Sequence, residues 1–285
     1  MKRKRFQLTC GDTTLDLGAR TYVMGVLNVT PDSFSDGGRF LFLDHAIKRV
    51  EEMVAEDVDM IDVGGESTRP GSEPVPMREE LNRVIPVIER IVKEFPDVLI
   101  SIDTCKADVA EQAIGAGARL INDVSAMRLD EEMGCVAAET GAPVILMHMK
   151  GMPKTMQEAP AYKDVVGEVR QFLRERVQKA VHAGIARDRL IIDPGIGFGK
   201  TVEHNLTLLA RLEQFADVGC PILIGSSRKW FIGRLLGDLP VEERLEGTLA
   251  SVVLAVAYGA HIVRVHDVRA TVRAIRIADA IVEQQ

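Results

Sequence analysis

VLISIDTCKADVAEQAIGAGARLINDV, residues 98–124, contains the unit from which the fold is predicted. The apolar run Val98–Ile102 ends at Asp103, a helical pattern covers Lys106–Gly115, and a second apolar run, Leu120–Val124, follows. Neither run alternates between apolar and polar residues, and this continuous apolarity is what strands buried on both faces of a parallel sheet require. The stretch therefore predicts a strand, a helix and a second, parallel strand.

The same pattern recurs along the whole chain. Eight apolar runs predict strands at Tyr22–Val29, Met60–Val63, Val98–Ile102, Leu120–Val124, Val144–Met147, Leu190–Ile192, Ile222–Ile224 and Ile262–Val265. Apolar residues at helical spacing predict helices at Asp44–Val58, Arg78–Phe95, Lys106–Gly115, Tyr162–Ala183, Val202–Phe215, Glu242–Tyr258 and Val268–Val282. This succession favours the α/β class and a single closed (β/α)8 TIM barrel. The rival is an open doubly wound sheet, which usually has fewer strands and a glycine fingerprint that is absent after Asn28.

The segment before the first barrel strand alternates around Gly11-Asp12, which predicts a β-hairpin. We expect this hairpin to plug the amino-terminal end of the barrel. The chain of 285 residues shows no break in composition. We therefore predict one domain, with an N-terminal hairpin extension at residues 1–20 and the barrel at residues 21–285.

The composition of the chain indicates which kinds of partner the protein binds. With 35 Lys and Arg against 42 Asp and Glu, the net charge is -7, so no overall positive field attracts nucleic acid or a membrane surface. The four cysteines form no CxxC pair, which is typical of the reducing cytosol. The longest apolar run, Leu249–Val263, is too short to cross a bilayer. We expect a soluble cytoplasmic protein that binds a small molecule and neither nucleic acid nor membrane.

The residues that follow the predicted strands are polar, and in a TIM barrel these strand ends form the active site. Asp103, Asn122 and Asp193 are hydrogen-bond acceptors at three of these ends, which suits the N–H groups of a flat heterocycle such as an aminopyrimidine. A second set is cationic or rich in donors and suits phosphate or carboxylate: Arg69, Lys200, Arg228, Lys229, Arg264 and His266. Each residue alone also fits a structural role, such as a helix cap or a loop charge. Their joint placement is what indicates a site.

Several strings resemble the dihydropteroate synthase family. They include MGVLNVTPDSFSDGG at residues 24–38, DVGGESTRPG at residues 62–71, Ser227-Arg-Lys229 and Arg264-Val-His-Asp-Val268. The resemblance extends from about Met24 to Val268. It implies a homodimeric TIM-barrel transferase that joins 6-hydroxymethyl-7,8-dihydropterin diphosphate to 4-aminobenzoate, releasing pyrophosphate, with Mg²⁺ on the diphosphate. Diphosphate would leave first, and the arylamine would then attack a pterin cation, so no dedicated general base is expected.

The resemblance also implies roles for individual residues. It assigns the pterin to Asp103, Asn122, Asp193, Lys229 and Arg264, and the diphosphate to Asn28, Thr68, Arg69, Arg264 and His266. It assigns the aminobenzoate pocket to Phe34, Thr68, Pro70, Phe198, Lys229 and Trp230, and the metal to Asn28. The residues implied to act in catalysis are Asp36, which would support the pterin cation, together with Asn28, Lys229, Arg264 and His266. Loops Thr30–Phe40 and Glu66–Met77 are predicted to form a lid.

One position departs from the family pattern. Familiar bacterial members have a serine after the active-site lysine, and its hydroxyl helps to hold the aminobenzoate carboxylate; this chain has Trp230. Trp230 either alters the binding of aminobenzoate and sulfonamides or packs at the edge of the pocket. Two other functions stay open at this point. A methyltetrahydrofolate–corrinoid methyltransferase would share the pterin acceptors but has no use for diphosphate-binding residues, and a non-catalytic paralogue would bind pterin without turnover.

Overall fold

The computed structural model of the protein describes residues 3–29, 39–67, 71–152 and 154–284. Within these ranges the strands are β1 (Phe6–Cys10), β2 (Thr13–Leu17), β3 (Tyr22–Asn28), β4 (Met60–Gly64), β5 (Leu99–Asp103), β6 (Leu120–Asp123), β7 (Val144–Met147), β8 (Leu190–Asp193), β9 (Leu223–Ile224) and β10 (Ile262–Val265). The α-helices in the same ranges are α1 (Arg39–Ala55), α2 (Met77–Glu94), α3 (Ala107–Ala116), α4 (Met133–Thr140), α5 (Val165–His182), α6 (Val202–Ala210), α7 (Trp230–Leu235), α8 (Leu245–Ala257) and α9 (Val268–Val282).

Strands β3 to β10 form one parallel sheet that closes into a barrel. Their order is β8-β7-β6-β5-β4-β3-β10-β9, so each strand lies beside its sequence neighbour except where β10 returns to β3. A parallel bridge between Ile192 and Ile222 joins the two ends of this order, and the Ile192 N–H donates to the Pro221 carbonyl at 2.9 Å. The structure therefore confirms the TIM-barrel prediction, and the open doubly wound alternative is wrong.

Each barrel strand presents alternate residues to the interior and to the surrounding helices. On β4, Ile61 and Val63 pack in the large core between the strands and the helices, whereas Met60 lies inside the barrel. Asp62 has the same parity as Met60 and so also points inward. The continuous apolar runs of the sequence thus conceal a polar inner layer near the carboxyl ends of the strands.

A hairpin closes the amino-terminal end of the barrel. Strands β1 and β2 are antiparallel, with Phe6 opposite Leu17 and Cys10 opposite Thr13, as predicted. Leu8, Cys10, Leu15 and Leu17 are buried in one cluster with the lowest inward residues of the barrel: Tyr22, Met24, Met60, Leu120, Ile145, Ile191, Leu223 and Ile262. This contact confirms that the hairpin plugs the barrel.

The predicted helices differ from the structure at two short elements, at one divided helix and in several bounds. The largest shift is in α1, which covers Arg39–Ala55 instead of Asp44–Val58. Helices α4 and α7 have eight and six residues, and no helical pattern was assigned to them because periodicity is read over windows of about 11–18 residues. The predicted helix Val202–Phe215 is divided, since α6 ends at Ala210 and Leu212–Val218 forms a 3-10 helix. None of the described helices combines the length and apolar content needed to cross a membrane.

Candidate active site

A buried network of four side chains occupies the carboxyl-terminal mouth of the barrel. Arg264 Nε donates to Asp62 Oδ2 at 2.6 Å, and Arg264 Nη2 donates to Asp103 Oδ2 at 2.7 Å. Asn122 Nδ2 donates to the same Asp62 Oδ2 at 2.9 Å. Residues 62, 103, 122 and 264 therefore form one continuous hydrogen-bonded unit, although they are spread over some two hundred positions of sequence.

Strand register explains why these residues meet. Asp103 lies opposite Asn122 across β5 and β6, and it lies opposite Gly64 across β4 and β5. Gly64 has no side chain, and a Cβ there would lie only 3.4 Å from the Asp103 Cβ. Arg264 projects inward from β10, two residues after the apolar Ile262. Alternation and register together turn separate strand ends into one site.

Burial changes the protonation of the acceptors. Burial raises the pKa of Asp103 to about 7, although Arg264 opposes the shift. Burial also raises the pKa of Asp193 to about 6, against the Gly195 N–H and the charges of Lys229, Lys200 and Arg264. Burial by itself would lower the pKa of Arg264, but Asp62 and Asp103 outweigh it and raise that pKa. The mouth thus places polar groups where burial largely excludes water, and a single guanidinium contacts the carboxyl groups of both Asp62 and Asp103.

Asp193 is fixed by the glycine-rich loop that follows β8. The Gly195 N–H donates to Asp193 Oδ1 at 2.7 Å. Gly195 has φ +69°, and a Cβ at this position would lie 1.9 Å from the His148 carbonyl oxygen, so no other residue fits without moving the backbone. The second Asp193 oxygen makes none of the described hydrogen bonds, and its use as a ligand acceptor stays a prediction.

Lys200 does not serve as a cation at the mouth, so its grouping with the anion-binding residues is wrong. Its side chain is fully buried, and Nζ lies 2.8 Å from the Gly195 carbonyl, 3.0 Å from the Phe198 carbonyl and 2.9 Å from His148 Nδ1. Burial lowers the pKa of Lys200 to about 7. Lys200 therefore holds the loops after β7 and β8 together instead of facing a ligand.

Lys229 and Phe198 form one side of the mouth. Lys229 Nζ lies 4.0 Å from the centroid of the Phe198 ring, a cation–π contact. Phe198 itself packs with an apolar group formed by Val124, Met147, Met149 and Met156. An aromatic ring and an ammonium group are thus presented together beside the acceptors.

Trp230 is the first residue of α7 and directly follows Lys229. It is partly buried and packs against the large core, and its indole Nε1 is buried without a hydrogen-bond partner among the described residues. This contact favours a packing role for Trp230. The effect of Trp230 on ligand binding stays a prediction.

His266 lies just beyond β10 and is held by Ser227. The Ser227 hydroxyl accepts the His266 backbone N–H at 3.2 Å and lies 3.0 Å from His266 Nδ1. Burial and the neighbouring Arg264 lower the pKa of His266 to about 3, so the ring is neutral at pH 7. If the hydroxyl donates to Nδ1, the ring proton is on Nε2, the other nitrogen. Arg228, in contrast, pairs with Asp267 at 2.6 Å and belongs to the rim of the site.

Asn28, at the end of β3, is partly buried and lies opposite Gly64 in the register. The described residues contain no group of three or more His, Cys, Asp or Glu that could hold a metal ion. Mg²⁺ in phosphate-binding sites usually takes only one or two protein oxygens and completes its shell with phosphate and water. A single amide oxygen from Asn28 fits such an ion.

Five predicted site residues, Phe34, Asp36, Thr68, Arg69 and Pro70, lie outside the described residues, as do parts of both predicted lid loops. Conversely, Asp62 belongs to the hydrogen-bonded network of the site but was not predicted from the sequence. Asp62 stands within a quoted motif, but it precedes the strand end by two positions. Its inward parity, shared with Gly64, is the signal that could have identified it.

Comparison with known proteins identifies the class to which this geometry belongs. Residues 24–266 match the family described as pterin binding enzyme. The dihydropteroate synthase of Escherichia coli strain K12 is 52% identical over 270 residues, which cover 94% of this chain and 94% of that protein. The chain therefore belongs to the dihydropteroate synthase family.

Two solved structures agree with this assignment. The dihydropteroate synthase of Xanthomonas albilineans with 4-aminobenzoic acid has a TM-score of 0.91 and 46% identity, covering 98% of each chain. The same protein in complex with 7,8-dihydropteroate has a TM-score of 0.87 and 44% identity, covering 96% of this chain and 98% of that one.

Proposed function

We propose that the protein condenses 6-hydroxymethyl-7,8-dihydropterin diphosphate with 4-aminobenzoate, forming 7,8-dihydropteroate and pyrophosphate. The observation that carries the proposal is the convergence of Asp103, Asn122 and Asp193 with Arg264 in one buried mouth. A pterin edge carries several N–H donors, and buried donors require acceptors. Family membership supplies the substrate class.

The diphosphate is expected to lie above these acceptors. Arg264 has five N–H groups, and two of them donate to Asp62 and Asp103, which leaves three for phosphate oxygens. His266 adds a neutral Nε2–H donor, with Asn28 and the predicted Thr68 and Arg69 completing the set. Asn28 would hold Mg²⁺, which when bound neutralises charge on the diphosphate as a Lewis acid.

The chemical step requires that negative charge be stabilised on the departing diphosphate. Fixed donors in a buried site do this without reorganisation, and they stabilise the transition state more than they would in water. The pterin ring, held by its N–H edge, carries the resulting cation, and Asp36 would support it. The aminobenzoate amine then attacks from the side of Phe198 and Lys229. Its low basicity removes the need for a general base.

A direct assay tests the proposal. The protein is incubated with pterin diphosphate, 4-aminobenzoate and Mg²⁺, and pyrophosphate and dihydropteroate are measured; we expect equal amounts of both. EDTA should abolish turnover and excess Mg²⁺ should restore it. Methyl transfer from methyltetrahydrofolate to a corrinoid protein would instead identify the methyltransferase. Pterin binding without turnover would identify the non-catalytic paralogue.

We also propose a homodimer that forms through α8 and α9. Val252 and Val256 are buried against the barrel, but Leu254 and Ile277 are 51% and 65% exposed, and Tyr258 and Ile281 follow them at helical spacing on the same two faces. In a dimer with two-fold symmetry, the same face of a second subunit can pack on this one and bury it. Sedimentation should show a dimer for wild type and a monomer for Ile277→Glu, whereas Leu129→Glu, at an exposed site elsewhere, should stay dimeric.

We propose the cytoplasm as the location. All four cysteines are free thiols, and Cys10 and Cys220 are buried, which suits a reducing compartment.

A further inference from the structure

Asp62 is a fully buried carboxylate at the centre of the site, below the positions that are expected to contact substrate. Its Oδ2 accepts from both Arg264 Nε and Asn122 Nδ2, and its Oδ1 is buried without a partner among the described residues. A buried carboxylate is costly unless it is paired, and truncating one partner leaves the other uncompensated. The contacts of Asp62 therefore constrain the two residues above it.

The first constraint concerns the amide of Asn122. An asparagine side chain has a donor end and an acceptor end, and either end can in principle face a ligand. A carboxylate only accepts, so Asp62 fixes Nδ2 at 2.9 Å on its own side. The opposite end, Oδ1, makes none of the described hydrogen bonds. Asn122 is thus held as an acceptor for a ligand N–H.

The second constraint concerns the plane of Arg264. Asp62 accepts from Nε at 2.6 Å and Asp103 accepts from Nη2 at 2.7 Å, so the guanidinium is held along one edge by two carboxylates. Two contacts of this kind fix the orientation of a planar group as well as its position. The free edge of the guanidinium is consequently directed away from both carboxylates.

We propose that Asp62 is a positioning residue that sets Asn122 as a hydrogen-bond acceptor for the pterin ring and orients Arg264. The inference rests on the proposed function, because it names the pterin as the ligand that Asn122 meets. Asp62 is not expected to contact substrate. Its effect is expected in the recognition of the pterin and only secondarily in the attack by the amine.

The test is a double-mutant cycle between Asp62 and Asn122. The quantity measured is the affinity for 6-hydroxymethyl-7,8-dihydropterin, determined by calorimetry. In Asp62→Asn the locking acceptor becomes an amide, so Asn122 can turn, and we expect affinity to fall up to about tenfold, as the loss of one neutral hydrogen bond to the ligand would give. Asn122→Asp should bind still more weakly, because two carboxylates then stand 2.9 Å apart. The double variant D62N/N122D restores a donor–acceptor pair, with the amide now at position 62 and the carboxylate at position 122.

The double variant should therefore bind pterin more tightly than Asn122→Asp alone. A merely structural role for Asp62 predicts the opposite order, since two damaging substitutions would add. Asp279→Asn is the matched control: Asp279 also accepts from an arginine, Arg3 at 3.0 Å, and from Thr21, at the plugged end of the barrel. This variant should keep wild-type pterin affinity.

Urea unfolding of every variant shows whether it is folded under the conditions of the binding experiment. The inference is overturned if folded Asp62→Asn binds pterin within twofold of wild type, or if the double variant binds more weakly than Asn122→Asp. A wild-type protein that binds no pterin would instead overturn the proposed function, and with it the ligand named here. A wild-type KM for 4-aminobenzoate in Asp62→Asn, with a raised KM for the pterin diphosphate, would further support the proposal.

Discussion

The two ends of the barrel interior are built from the same strands with opposite chemistry. On four strands the inward residue changes from apolar to polar two positions later: Met60 to Asp62, Leu120 to Asn122, Ile191 to Asp193 and Ile262 to Arg264. The lower residues pack on the hairpin, whereas the upper ones bond to one another or to loops. Two residues along each strand thus separate the part of the interior that stabilises the fold from the part that is expected to bind a ligand.

The contrast also has an energetic side. Burial of the lower layer is favourable, at about 25 cal/mol for each Å² of apolar surface. In the upper layer burial disfavours the charged forms of Asp103 and Asp193, and it raises the pKa of both. The plug, the helices and the outer core therefore stabilise a mouth that would not be stable on its own.

Arg264→Met should give the largest effect, because it removes the only partner of Asp103 in the described network and one of the two partners of Asp62. We expect kcat/KM to fall on the order of a thousandfold, since removing one fixed donor that stabilises developing negative charge costs about a hundredfold to a thousandfold and the orientation of the site is lost as well. Steady-state kinetics with varied pterin diphosphate measures this. Arg264→Lys keeps the charge but loses the planar contacts, so its kcat/KM should lie between those of wild type and Arg264→Met. A kcat/KM for Arg264→Met within tenfold of wild type would contradict the central position of the guanidinium.

Leu17→Ala, at the plugged end of the barrel, should lower stability and leave activity nearly unchanged. Leu17 is fully buried in the plug, so the free energy of unfolding should fall by about 2–5 kcal/mol. Urea unfolding measures this loss. Folded Leu17→Ala should keep kcat/KM within about twofold of wild type, because a plug cavity removes only packing. A loss of activity under conditions where the variant is fully folded would show that the ends are coupled.

The buried acids of the mouth should contribute to the pH dependence of stability. The folded-state pKa of Asp103 is about 7, above the ordinary value of 3.8, so the folded protein holds a proton that the unfolded chain has lost between these values. Asp103 by itself makes stability fall as pH rises through this interval, and Asp193, with a pKa of about 6, adds to the same slope. The lowered pKa values of His266 and Lys200 act in the opposite direction, so the contribution of Asp103 is measured as a difference between variant and wild type. Asp103→Asn removes part of the slope.

Urea unfolding at about pH 5 and about pH 8 tests this sign. On going from the lower to the higher pH, Asp103→Asn should lose less stability, or gain more, than wild type. Leu17→Ala, which changes the plugged end without removing a titratable group, serves as the control and should keep the wild-type slope. Equal slopes in wild type and Asp103→Asn would refute the assignment to Asp103.

Trp230→Ser should give the smallest effect. The indole N–H has no described partner, so replacing it removes no polar contact, while the new hydroxyl can donate to the aminobenzoate carboxylate. We expect the KM for 4-aminobenzoate to fall about threefold, as one modest hydrogen bond would give, and sulfonamides to inhibit more strongly. Trp230→Phe keeps most of the packing without the hydroxyl and should match wild type. Identical KM values in Trp230→Ser and Trp230→Phe would leave Trp230 with a packing role alone.

The candidate site was predictable wherever a polar residue ends an apolar run. Asp103 and Asp193 follow this rule, Asn122 and Arg264 lie within two residues of the ends of their runs, and the structure brings the four together. Lys200 lies in the loop after β8, yet its side chain turns inward to three loop acceptors. The sequence pattern does not distinguish the two directions, because both cations stand near the carboxyl end of a strand.

The sequence by itself determined the class of fold, the order of strands and helices, the hairpin plug and the family. These follow from local features: apolar runs, their period and motif strings are readable within a few residues. Only the tertiary structure decided that Asp62 joins Asn122 to Arg264, that Lys200 is internal, and which carboxylates hold a proton near neutral pH. Those properties depend on closure of the barrel, since it brings residues from distant strands within hydrogen-bond distance and excludes water from around them.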